Sequence, residues 1–259
     1  MEPLPDGNYT REIPKLNQHA NVRTVGYVST SYTTRNISLA LRDIDIYSAW
    51  AENSTVSGLG MHGIFLDETP SQYQPASVQF LDTLAASIKS QTGLGKDPLV
   101  SVGIFVFSKS SVCSDLGNII KAWIKQQALP RTSKRHSPLL QAEPILTQKQ
   151  IIHNPGTIPD PRYMTSANLT VVFEGTYSTY QIYGFHKAMT TFQDSSKTDR
   201  NALAAIVHTV PTTLSDKDEK SLVRDLRSSV GNIFITGLSV DYYASFWSGW
   251  LGFTDDMVS

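Results

Sequence analysis

The feature that most constrains this chain is an alternation between two hydrophobic periods. "VRTVGYV" (22–28) is β-branched and apolar, with turn residues after it, and predicts a buried strand. In the next stretch, "TTRNISLALRDIDIYSAWA", Ile37, Leu41, Ile44, Tyr47 and Trp50 recur at steps of three and four. That spacing predicts an amphipathic helix, with Asn36 as its cap. "MHGIFLD" predicts a second strand, and Pro75 to about Gln91 a second helix with Val78, Leu81, Leu84 and Ile88 on one face. Strand, helix, strand, helix at this spacing predicts βαβ units and a parallel sheet.

The alternation returns later. "QIIHN" (150–154), "LTVVFE" (169–174), "ALAAIVH" (202–208) and "NIFIT" (232–236) are strand candidates, with "STYQIYGFHKAM" and "KDEKSLVRDLRSSV" as the helices between the last three. The strands end in polar residues: Tyr27, Asp67, Asn154, Glu174, His208 and Thr236. In a parallel barrel the C-terminal strand ends form the active-site face, and in a doubly wound open sheet they form the ligand crevice.

Residues 101–149 break the rhythm. They hold one strand-like run, one helix-like run, a polar Pro-containing tail, the single cysteine (Cys113) and the basic run "RTSKRH" (131–136). The rest reads as a single domain spanning 1–259, with 40% apolar and 17% charged residues, as in an ordinary globular protein. A net charge of −1 gives no overall field for nucleic acid or anionic membrane, so no nucleic-acid partner is expected, and the basic run reads as a solvated loop. One cysteine excludes an intrachain disulfide and a structural thiolate metal site. There is no 18-residue apolar run to span a membrane, and "MEPLPDGNYT" lacks the regions of a signal peptide. Sequons at Asn8, Asn36, Asn53 and Asn168 hint the other way, at secretion. Nothing in the sequence sets the oligomeric state.

"GLGMHG" matches G-x-G-x-x-G formally, but it precedes a strand rather than following one, which rules out the dinucleotide fingerprint. Phosphate-loop, zincin and nucleophile-elbow patterns are absent, and the six histidines lack ligand spacing, so neither cofactor nor metal is expected. What remains is carboxylates. Asp67 in "GIFLD" and Glu174 in "TVVFE" each close an apolar strand, and glycoside hydrolysis commonly uses two such acids. The adjacent Glu68 cannot share Asp67's direction if the strand persists, because successive side chains alternate faces.

"NVRTVGYVSTSYTTRNIS", "HGIFLDETPSQY" and "HNPGTIPDPRYM" followed by "LTVVFEGTYSTY" resemble the spherulin-4 family of fungal and slime-mould proteins, over roughly residues 5–97 and 150–250. The resemblance implies a (β/α)8 barrel of the TIM type, secretion or cell-surface attachment, and endo-acting hydrolysis of α-1,4-linked N-acetylgalactosamine in a fungal exopolysaccharide. It implies Asp67 as nucleophile and Glu174 as acid/base in a retaining mechanism, with Glu68 as the lesser nucleophile candidate. Tyr27, Asn154, Tyr177 and His208 fall in matching motifs as sugar contacts; Arg35 and Arg162 do too, with structural ion pairs as the competing reading. The alternative function is a non-catalytic or inactive carbohydrate-binding, spore- or stress-associated wall protein. Against the family pattern, the first strand–helix–strand is missing, leaving about six strands for a ring of eight. The insertion at 101–149 reads as a translated intron.

Overall fold

The computed structural model describes residues 5–19, 22–52, 55–95, 102–109, 121–126, 149–243 and 246–258. Asn53, Cys113 and the basic run at 131–136 lie outside them. Six strands run parallel, in the spatial order β1 (Val22–Ser29), β2 (Gly63–Asp67), β5 (Gln150–Asn154), β6 (Leu169–Thr176), β7 (Leu203–His208) and β8 (Asn232–Ile235). The expected α/β fold with its curled parallel sheet is therefore present, built by the segments whose period was legible.

The uniform (β/α)8 ring expected from the resemblance is not what closes it. Residues inside the 101–149 segment supply β3 (Val102–Lys109), parallel to β1, and β4 (Lys121–Gln126), antiparallel to both β3 and β8. The two strands pair with the edges that a six-strand sheet would leave open, and the ring closes.

Helices clothe the outside. α1 (Gly7–Asn17) is capped by Asp6, α2 (Ile37–Trp50) by Asn36, and α6 (Asp216–Ser229) by Ser215, each side chain accepting from a first-turn amide. α3 (Pro75–Ser90) opens on its proline, where the missing N–H costs nothing. The single helix expected in "STYQIYGFHKAM" is two, α4 (Tyr177–Tyr183) and α5 (Phe185–Ser196), broken at Gly184, which adopts a left-handed φ of 66°. α7 (Trp250–Val258) ends the chain.

Two apolar layers lie between helices and sheet. One joins α2 and α3 to β1 and β2 through Ile44, Tyr47, Trp50, Leu81 and Leu84. The other joins α5, α6 and α7 to β6, β7 and β8 through Met189, Leu222, Leu226 and Phe253. A third cluster fills the lumen: Val25, Phe65, Ile152, Leu169, Val171, Ala204, Ile206 and Phe234. On β1, β2, β5 and β7 these alternate strictly, so the next inward positions are Tyr27, Asp67, Asn154 and His208.

Strand β6 departs from the alternation. Its register against β7 slips between Val171 and Phe173, and both Val172 and Phe173 belong to the outer layer. That is a β-bulge. Counting by twos from Leu169 and Val171 places residue 174 outside the barrel. The extra residue reverses the parity and turns Glu174 into the lumen.

Candidate active site

The inward strand ends converge on the two acids. Asp67 Oδ2 accepts the Tyr27 hydroxyl at 2.8 Å, and Oδ1 accepts the Glu68 amide at 2.9 Å and Asn154 Nδ2 at 2.8 Å. The same Asn154 nitrogen donates to Glu174 Oε2 at 2.6 Å. Since both bonds share one atom, those two carboxylate oxygens lie within about 5.4 Å of each other, the sum of 2.8 and 2.6 Å.

The "HNPGT" motif explains why the amide points this way. Asn154 Oδ1 accepts the Gly156 N–H at 3.1 Å, which leaves Nδ2 to face the acids. Gly156 has a left-handed φ of 66°, which a side chain would strain. Its carbonyl then accepts the Glu174 amide at 2.9 Å. One tight turn thus orients the amide and anchors the acid opposite.

Glu174 Oε1 accepts the hydroxyls of Tyr242, at 2.6 Å, and Tyr243. Burial, then the Glu174 charge, pushes both phenols well above the usual tyrosine range, so they stay protonated donors. Tyr27 is raised likewise, by burial first and Asp67 second. Sequence reading missed both tyrosines of the loop after β8, because it stopped at Thr236. The signal was the aromatic run "DYYASFWSGW" immediately after a strand end.

Glu68 stands apart. Strand β2 ends at Asp67, and Glu68 takes a left-handed φ of 54°. Its carboxylate accepts the Ser29 hydroxyl, and its carbonyl accepts Thr30 Oγ1 at 2.8 Å and the Tyr32 amide at 2.7 Å. Ser31, Tyr32 and Thr33 are left-handed too, as are Thr209 and Asp241 beyond β7 and β8. Six of the seven described non-glycine residues with this backbone therefore rim the same mouth.

His208 lies at the end of β7 with its ring stacked on Tyr242, centroids 4.2 Å apart and planes 3° from parallel. Burial lowers its proton affinity, and the Glu174 charge opposes that in part. Tyr177 opens α4 and packs against the outer layer; among the described residues it makes no hydrogen bond to the acids. Arg35 pairs with Asp43 at 2.7 Å and Arg162 with Asp160 at 2.7 Å, while Arg162 also covers the Tyr73 ring. Two of the sequon asparagines have local roles: Asn36 caps α2, and Asn168 accepts the Ile151 amide. Among the described residues no group of three or more His, Cys, Asp or Glu side chains could hold a metal, and no helix is long and apolar enough to cross a membrane.

The chain is 38% identical to Aspergillus clavatus Sph3, whose crystal structure was determined in complex with GalNAc; the two superpose with a TM-score of 0.75 over 99% of this chain and 80% of that one. Spherulin-4 of Physarum polycephalum is 31% identical over 133 residues, 47% of this chain and 36% of the relative, so the chain matches only about a third of that protein's length. The family described as spherulation-specific family 4, Spherulin4, matches residues 1–257, and the chain belongs to it.

Proposed function

We propose that the protein is an endo-acting glycoside hydrolase that cleaves α-1,4-linked N-acetylgalactosamine in an exopolysaccharide, with retention of anomeric configuration. The observation that carries this reading is the Asn154 amide bonded to both Asp67 and Glu174. Carboxyl groups about 5–5.5 Å apart are the spacing of double displacement, whereas inversion needs about 6.5–9.5 Å for an intervening water. The GalNAc bound by the similar Aspergillus protein supports the choice of sugar.

In this mechanism the Asp67 carboxylate attacks the anomeric carbon. The bond to the leaving oxygen breaks as Glu174 gives that oxygen its proton, leaving a glycosyl ester on Asp67. Water then gives a proton to Glu174 and attacks the same carbon, which frees Asp67. Asn154 and Tyr27 hold Asp67 in line, and Glu68 supports it through its backbone amide. His208 and Tyr242 supply a flat edge at the mouth for a sugar ring. Family membership and the sugar polymer as partner accord with action at the cell surface or outside the cell.

The full occupation of Glu174 favours a second reading, a carbohydrate-binding wall protein without turnover, because Asn154, Tyr242 and Tyr243 already take both carboxylate oxygens. Reducing-end release from the GalNAc polymer, by the protein and by Glu174→Gln, separates the two. Release that collapses in the variant supports the hydrolase. Binding without release by the unmutated protein would overturn it in favour of the second reading.

A further inference from the structure

The acids occupy the C-terminal ends of the strands; a cluster of positive charge stands at the other end. Helix α6 carries Lys220, Arg224 and Arg227 at steps of four and three, on one face of the helix. Arg200, in the turn that leads into β7, stands against them, and its carbonyl accepts the amide of Gly231 just before β8. Together they line a cavity of about 530 Å³, in which the one carboxylate among the described lining residues is Asp256 of α7.

Part of this charge has a structural use. Arg200 Nη1 donates to the Arg227 carbonyl at 2.5 Å, Arg227 Nη1 reaches the Asp256 carbonyl at 3.4 Å, and cations suit the C-terminal end of a helix. The remainder is unspent. A guanidinium carries five N–H donors. Arg224 has no hydrogen-bond or ion-pair partner among the described residues, and Lys220 approaches Asp256 only to 3.8 Å. Like charges three and four residues apart destabilise a helix, and here a fourth cation adds to them. Burial and the neighbouring Arg200 pull the proton affinity of Arg227 below its ordinary value, as expected where guanidinium groups converge without enough anion.

We propose that this cavity is a binding site for an oxyanion, a carboxylate or phosphate carried on a sugar-sized molecule. Arginine forks match such groups two bonds at a time. The volume lies within the range of small-ligand pockets, about 300–1,000 Å³. A second cavity, of about 590 Å³, shares Ser228 and is lined by Tyr180 and His186, so a ligand longer than one sugar has a surface to continue along. The site is separate from the acid pair and does not depend on the proposed hydrolysis.

Calorimetric titration of the full chain with galacturonate, inorganic phosphate and neutral galactose, at matched ionic strength, tests this. Saturable binding of at least one anion but not of galactose is expected, at least tenfold weaker in Arg224→Ala and weakened by added salt. Arg224→Lys, which keeps the charge and loses the fork, should also bind more weakly and serves if the alanine variant does not fold. Binding of galacturonate alone points to an acidic glycan, of phosphate alone to a phosphorylated ligand, and of both to the shared oxyanion. Absence of saturable binding by either anion, or affinity unchanged in both Arg224 variants, overturns the proposal.

Discussion

Asp67 and Glu174 are joined through a single atom: Asn154 Nδ2 donates to one oxygen of each. That shared amide ties the position of one acid to the other. Replacing Asn154 with alanine should therefore lower kcat by on the order of 10²-fold, the cost of displacing reacting groups by about an ångström. Asn154→Asp, which puts a third carboxylate between the two, should do at least as much. Steady-state kinetics on the polymer, with melting temperatures as a control on folding, checks both.

Tyr243 is the more deeply set of the two phenols on Glu174, packed beside Phe234 of the lumen. Tyr243→Phe keeps the ring and removes only the donor. A hydrogen bond to a charged group contributes about 1.5–3 kcal/mol, so kcat should fall roughly tenfold or more while KM moves little. A change confined to KM would reassign Tyr243 to substrate contact.

Deleting Val172 removes the bulge. Val171 then points in, Phe173 out and Glu174 in by simple alternation, so the strand pairs without a slip and the carboxylate stays in the lumen. Hydrolysis should therefore survive in the fraction that folds, whereas one alanine inserted between Phe173 and Glu174 reverses the parity, so hydrolysis should vanish and the buried charge should lower the melting temperature. Val172→Ala, which keeps the residue count, should stay active with a modest loss of stability.

His153 is buried on the outer side of β5, its Nε2 has no partner among the described residues, and burial pulls its pKa from 6.5 to about 4. The folded state resists a proton that the unfolded state accepts. Stability is therefore full above about pH 6.5 and is lost as pH falls toward 4. The loss is on the order of 3 kcal/mol, at about 1.4 kcal/mol per pKa unit. Denaturant titrations at pH 7 and pH 4.5 should show it, and His153→Leu should flatten the difference. An equal acid loss in that variant would place its origin elsewhere.

The strands were legible because their apolar runs are short and end in polar residues, and the ring order then brings Tyr27, Asp67, Asn154, Glu174 and His208 to one end. The mechanism that aims Glu174 was not legible, since a bulge adds a residue without altering composition or hydrophobicity. Nor were Tyr242 and Tyr243, which belong to no periodic element and reach Glu174 from 68 and 69 residues away. Tyr177, three residues after the acid in sequence, packs against the outer layer, a placement that its motif position does not reveal. Closure of the ring was hidden because β3 and β4 pair with β1 and β8, partners distant in the chain. Which member of the Asp67–Glu68 pair faces the lumen depends on the backbone reversal at Glu68, and the letters alone left that open.

The left-handed backbone around the mouth has a thermodynamic consequence. Each such non-glycine residue costs of order 1–3 kcal/mol, a large share of the 5–15 kcal/mol by which a domain is stable. The rim formed by residues 31–33, Glu68, Thr209 and Asp241 is thus where the molecule forgoes stability. Glycine there would relax the chain at no steric cost, so thermostable variants selected without regard to turnover should accumulate changes at this rim. Selection for turnover should hold the same positions against them.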